Sequence, residues 1–242
     1  MSTTERRNRE KIRRQQEILQ AARDVFFRKG IHRATVDDVA ARAELSKGAI
    51  YLYFESKEAL LAHLLLQGLD ILLANLQAAY AADEPLTAEV RLRRLAHAYL
   101  RFAQEHPDDF RLLMALDRGG FREKVPPELY QEVLSSSLRG LELLTDAVRQ
   151  GVREGVFASD DPRQTAGALW AALHGVLMLM GHSLRRQMLD MELEPMFEAT
   201  LELQLRGLRR EAGEQGSGGA GSQGRMGAGE QGHKSQEGGS YA

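Results

Sequence analysis

The chain has 242 residues, 43% of them hydrophobic, no cysteine and a formal net charge of −2. That is enough apolar material for a sizeable core. The lack of cysteine excludes disulfides, thiolate metal sites and cysteine nucleophiles, and it fits a reducing cytoplasm. The near-neutral total argues against a protein coated in nucleic acid. No apolar run reaches membrane-spanning length, and the basic N-terminus has no apolar signal core.

In chain order, the first helix carries Ile18, Ala22, Val25 and Phe26 at helical spacing and stops at Lys29-Gly30 with a glycine cap. Thr35 stands three residues before Asp38, the spacing of a reciprocal cap, so a second helix starts at Val36. Ser46 caps a third, running from Lys47 towards Tyr53 with Ile50 facing inward, and Ser56-Lys57-Glu58 opens a fourth. A small Ala40 lets the two short helices cross closely, with Leu45, Ile50 and Phe54 filling the wedge. Lys47, Tyr51, Tyr53 and Lys57 are left facing outward. This is the layout of a helix-turn-helix whose second member reads DNA. The candidate DNA-contacting set is Thr35, Ser46, Lys47, Gly48, Ala49, Tyr51, Leu52, Tyr53 and Lys57.

Charge agrees with that reading. Residues 1–60 hold 13 Lys+Arg against 9 Asp+Glu, a balance of +4 in a chain of −2. Arg6, Arg7, Arg9, Lys11, Arg13 and Arg14 crowd the beginning of the first helix and the segment before it, an arm able to reach phosphates or the minor groove, or else a solvated basic terminus.

In Thr35, Val39-Ala40, Ser46-Lys47-Gly48-Ala49-Ile50-Tyr51, Phe54 and Lys57-Glu58-Ala59-Leu60, in fixed order, the chain resembles the TetR family of bacterial transcriptional regulators. The likeness extends upstream through residues 15–34 and covers about the first quarter of the chain. Two positions depart from the family pattern. Glu44 stands at the turn where members often have Gly, and Ala49 stands where they often have Thr. A non-Gly residue in a left-handed turn costs roughly 1 kcal/mol.

The fourth helix, Lys57 to about Ala81, carries Leu60, Leu61, Leu64, Leu72 and Leu76 and connects the DNA-reading end to the rest, as a signalling lever would. It ends near Asp83-Glu84-Pro85. Further helices are predicted over about 88–105, through Leu116 after a break at His106-Pro107, over 127–154 after a loop with Gly119-Gly120 and Pro126-Pro127, over 162–189, and from Pro195 as first residue to Arg210. The expected fold is all-α with nine helices: a helix-turn-helix domain over 1–56 and a helical effector-binding and dimerisation domain over 57–211. A Gly-rich tail over 212–242 holds 11 of the 23 glycines, a composition expected to be disordered.

The resemblance implies a homodimer joined through the last two long helices, near 162–189 and 195–210, with Leu169, Leu173, Val176, Leu177, Met180 and Leu184 on one and Met196, Phe197, Leu201, Leu205 and Leu208 on the other. The alternative is burial of these stripes within one chain. A twofold dimer would place two reading helices one DNA turn apart on a palindromic double-stranded operator. The resemblance also implies a small-molecule effector cavity behind the lever helix. Candidate lining residues, chosen for aromatic or polarizable bulk, are His97, Tyr99, Phe102, Phe110, Met114, Trp170, His174 and Met178. Such a lining suits an apolar or amphipathic molecule that releases a repressor from DNA.

Two other classes compete. A nonspecific architectural DNA binder would coat any duplex. A helical enzyme would need catalytic residues distant in sequence, since there is no His-Glu-x-x-His pair and no Gly-rich phosphate loop after a strand. No metal or other cofactor is implied.

Overall fold

The computed structural model describes residues 3–81, 85–116 and 121–210. They form eleven helices: α1 (Thr3–Lys29), α2 (Val36–Arg42), α3 (Lys47–Tyr51), α4 (Lys57–Tyr80), α5 (Ala88–Glu105), α6 (Pro107–Leu116), α7 (Phe121–Lys124), α8 (Pro127–Arg153), α9 (Pro162–Met180), α10 (Ser183–Leu189) and α11 (Leu193–Leu208). The fold is all-α, and the one departure from helix and loop among the described residues is an antiparallel bridge between Phe157 and Arg209. The Gly-rich segment expected after 211 and the Gly119-Gly120 turn lie outside the described residues.

Most helix starts follow from their caps. Thr35 and Asp38 form the full reciprocal box, and Ser46, Ser56 and Thr87 each accept the amide three residues on. Asp161 accepts the amides of Arg163 and Gln164, with Pro162 at the first helical position where its missing N–H costs nothing. Such a cap stabilises a helix by about 1 kcal/mol.

Eleven helices replace the expected nine for two reasons. A single turn, α7, interrupts the stretch read as loop before Pro127. The run 162–189, read as one helix, bends by 103° between α9 and α10. All ten residues from 181 to 190 are exposed, so the apolar spacing of Leu184 and Met188 has no protein surface to follow. Gly181 closes α9, and Asp190, with φ of 47°, closes α10. The last helix begins two residues before Pro195, which still sits in the first turn where an amide has no helical acceptor.

Two hydrophobic clusters fill the interior. The first joins Ile18, Ala22, Val25 and Phe26 of α1 to Val39, Ile50, Phe54 and the first half of α4, and continues into Leu112 of α6 and Leu129 and Val133 of α8. The second gathers the end of α4 with α5, α9 and α11 around Phe102, Leu173, Phe197 and Leu201. Packing is therefore continuous across position 57, where the helix-turn-helix gives way to α4. Contrary to the expectation that no run reaches membrane-spanning length, α4 is long and apolar enough by composition, with a mean hydropathy of 1.7 over 18 residues. Its apolar character is explained by its place in the protein, since both clusters bury it on several sides.

Candidate nucleic-acid interface and effector cavity

The reading head is built by α2 and α3 against α1. Ile50 is fully buried and fixes α3 by its inner face, while Ala40 and Val39 let α2 cross closely. The connecting turn places Glu44 at φ 56°, the left-handed conformation that glycine adopts at least cost, here taken by a residue with a side chain.

On the outer face, Lys47, Gly48, Tyr51 and Leu52 are exposed, Tyr51 at 45% and Leu52 at 80%. A Cβ at Gly48 would meet only Ser46 Oγ, at 3.9 Å, so nothing within the protein requires glycine there; the bare backbone leaves room for an external surface. Lys47 Nζ donates to Asp37 Oδ2 at 2.8 Å, which raises the ammonium above its ordinary pKa and keeps it charged.

Other members of the sequence-derived set sit differently. The Thr35 hydroxyl is exposed but committed to the cap, accepting Asp38 N at 3.2 Å and donating to Asp38 Oδ2 at 3.0 Å. Ser46 Oγ accepts Ala49 N at 3.1 Å, and Ala49 is half-buried. Tyr53 and Lys57, expected to face outward, do not do so fully. Tyr53 packs on the first cluster because the helix ends at Tyr51 and the chain turns inward to seat Phe54. Lys57 lies over the Phe26 ring at 6.0 Å with Nζ 3.5 Å from the His32 carbonyl, and burial lowers its ammonium pKa.

The basic arm is helical over its described length. Helix α1 begins at Thr3, and from residue 4 to residue 13 every side chain is exposed. Arg13 and Arg14 bind Glu17, and Arg13 also binds Glu10, whereas Arg6, Arg7 and Lys11 show no ion pair among the described residues. A helix with nothing to bury along this length presents its cations to solvent.

A cavity of about 320 Å³ lies behind α4. Leu69, Leu72, Leu73 and Leu76 of α4 form one wall, Leu95, Ala96 and Tyr99 of α5 another, and Leu113 and Met114 of α6, Ser136, Ser137, Leu138, Gly140, Leu141 and Leu144 of α8, and Trp170, Leu173 and His174 of α9 complete it. Of the eight candidate lining residues, Tyr99, Met114, Trp170 and His174 meet here. Tyr99 Oη and His174 Nδ1 are 2.7 Å apart, and the Trp170 ring lies 4.9 Å from His174.

The other four are placed elsewhere. His97 turns outward to Glu198 Oε1 at 2.5 Å. Phe102 is fully buried in the second cluster and stacks on His106. Phe110 stands behind the lining, edge-on to Tyr99 at 6.1 Å. Met178 is half-buried one turn beyond His174 and does not line the cavity. Residue type and mid-helix position drew attention to them, whereas helix phase decides the facing. The wall leucines of α4 and the α8 segment were missed because leucines at helical spacing also describe ordinary core. Among the described residues no three His, Asp or Glu side chains gather as a metal would require.

The stripes assigned to dimerisation are mostly internal. Leu169, Leu173, Val176, Leu177, Met180, Phe197, Leu201 and Leu205 are buried within the chain. What α9 and α11 leave outside is a different, small-residue face, with Ala168, Ala171 and Leu179 on one and Ala199, Leu203 and Gly207 on the other, and Leu203 is 70% exposed.

Comparison with known proteins agrees with both halves. Residues 18–64 match the family model of bacterial regulatory proteins of the tetR family, and residues 92–203 match the tetracyclin repressor-like C-terminal domain. The HTH-type transcriptional regulator RutR of Escherichia coli is 32% identical over 173 residues, covering 71% of this chain and 77% of that protein. The HTH-type transcriptional activator FasR of Mycolicibacterium smegmatis is 31% identical over 104 residues, 43% of this chain and 47% of that protein. Among solved structures, the TetR family regulator PfmR of Thermus thermophilus superposes with a TM-score of 0.61 at 28% identity, over 80% of this chain and 99% of that one.

Proposed function

The chain belongs to the TetR family of bacterial transcriptional regulators, a helix-turn-helix DNA-binding family, and on that premise we propose that it is a cytoplasmic repressor that binds a palindromic operator as a homodimer and is released by a small apolar or amphipathic molecule. The observation that carries this reading is the course of α4. It begins at Lys57 beside the reading head and, from Leu69 to Leu76, becomes a wall of the cavity. A ligand that binds one arrangement of that wall better than another shifts the position of the reading head by its differential affinity alone.

Lys47, Gly48, Tyr51 and Leu52 are the base- and phosphate-facing residues in this reading, with the α1 arm adding phosphate contacts. The small-residue faces of α9 and α11 supply the dimer contact, since they are apolar and without a partner in the chain.

Selection of the full-length protein on a random duplex library at near-physiological salt, followed by sequencing of retained DNA, tests the proposal. An enriched palindrome is expected. Retention with no enriched motif would replace it with architectural binding. A palindrome whose occupancy raises transcription would make the protein an activator, the role that the name of FasR carries.

A further inference from the structure

We infer that α10 of each subunit closes the mouth of the other subunit's cavity, with Met188 seated on Trp170 and Leu138, so that the cavity is completed only in the dimer. The inference rests on the homodimer reading given above and adds what each copy does at the other's site.

The cavity opens to the surface where Ser137 and Leu138 of α8 and Trp170 of α9 are exposed. Trp170 is 44% exposed, and Leu134, one turn before Leu138, prolongs the same apolar rim. The second unpartnered feature is α10. It leaves α9 at a bend of 103°, and Leu184, Met188 and Leu189 all face water, Met188 at 75%. A helix of seven residues with nothing packed against it is marginal in water. With Met191, these side chains show on the order of 400 Å² of apolar surface, a patch size that marks an interaction site. That is about half of the roughly 800 Å² that each partner gives to a standard interface.

Within one chain the two features cannot meet. Ser183 stands 13 residues beyond Trp170, about 20 Å along the axis of α9, and α10 then turns off that axis. A second copy brings them together. A Cβ at Gly167 or Gly175 of α9, or at Gly207 of α11, would meet nothing within 4 Å. Glycine inside a helix costs about 1 kcal/mol against alanine, and no contact among the described residues asks for it at these three positions. An approaching helix does, since bare backbone admits it closely. A partner α9 that runs antiparallel and crosses closest at Gly175 sets Ser183 of the partner subunit level with Gly167. That is three residues, about 4.5 Å along the axis, from Trp170. The partner's Met188 then offers its thioether to the exposed indole, a favourable sulfur–aromatic contact. Twofold symmetry makes the contact twice, each subunit giving an α10 and receiving one. A molecule held in either cavity thereby touches both subunits, whose relative position spaces the reading heads.

Because the chain has no cysteine, an introduced pair reports one contact. Full-length Leu138→Cys/Met188→Cys is treated with a short bismaleimide and run on denaturing gels, alongside each single variant and Leu203→Cys. The double variant is expected to give a two-chain species, and Leu138→Cys and Met188→Cys alone to stay single chains. All substituted positions are exposed in one chain, so melting temperatures should match the parent's. A two-chain species from Met188→Cys alone, which would set α10 against α10, overturns the inference. So does a link that closes within one chain. A protein that sediments as a dimer, or links through Leu203→Cys, without linking in the double variant overturns the inference and leaves the homodimer standing. One that sediments as a monomer removes the homodimer reading and the inference together, so the two failures are told apart.

Discussion

Arg23 of α1 and Asp109 of α6, 86 residues apart in sequence, form a paired guanidinium–carboxylate contact, with Nη1 donating to Oδ2 at 3.0 Å and Nη2 2.8 Å from Oδ1. The Asp109 side chain is 4% exposed and Arg23 24%, and Gly68 of α4 makes room for the carboxylate, since a Cβ there would stand 3.1 Å from Asp109 Cβ. Oδ1 has no well-directed hydrogen bond and is held by charge. Asp109→Ala strands a half-desolvated guanidinium and should lower unfolding stability by about 2 kcal/mol in urea titrations. Arg23→Met combined with Asp109→Leu should recover much of the loss, because the apolar pair leaves no buried charge without its counterpart.

A second cross-element contact titrates. His63 of α4 meets Phe54 edge-on at 5.2 Å, and burial lowers its pKa, with Glu132 opposing weakly. The unfolded imidazole takes its proton near 6.5, so the unfolded state binds more protons between that value and the depressed folded one. Stability is then complete above about pH 6.5 and falls as pH drops through the folded value. Melting temperatures from pH 8 to 5 should show this decline, and His63→Gln should flatten it.

Asp37 and Lys47 are predicted to act with opposite sign on DNA affinity. Lys47→Ala removes a phosphate-reaching cation and should weaken operator binding by about tenfold, lowering the salt slope by about 1. Asp37→Asn frees Lys47 and removes a negative charge from the same face, so binding should tighten. Fluorescence anisotropy on the selected duplex reads both.

The exposed arm makes a separate contribution. Replacing Arg6, Arg7 and Lys11 with Gln should reduce the slope of log K against log salt by up to about 3, and should do so equally on specific and random duplexes. An unchanged slope would leave the arm as a solvated terminus.

Leu203→Glu places a charge on the unpartnered face of α11. Since Leu203 is 70% exposed in the single chain, the substitution should change monomer stability by no more than about 0.5 kcal/mol. Sedimentation should nevertheless show a shift from dimer to monomer, with loss of palindrome binding and unchanged helical content.

Local signals were legible in the sequence wherever the physics is local. The left-handed turn at Glu44 was suggested only by the family resemblance, whereas the Thr35–Asp38 box, the Ser46 and Ser56 caps and the proline-opened α8 and α9 each depend on atoms within about four residues, so residue order alone determined them. The same holds for α4 as the element joining the reading head to the remainder. Which side of each long helix faces what could not be decided that way. His97 and Tyr99 are two residues apart on α5, yet one reaches out to Glu198 and the other into the cavity, and their residue types do not distinguish them. The leucine stripes of α9 and α11 are internal because the second cluster claims them, leaving a small-residue face outside. The continuous apolar run 162–189 breaks at Gly181 because nothing packs against its continuation. Facing, burial and the Arg23–Asp109 contact depend on how helices distant in sequence are brought together, and that arrangement is a property of the packed core.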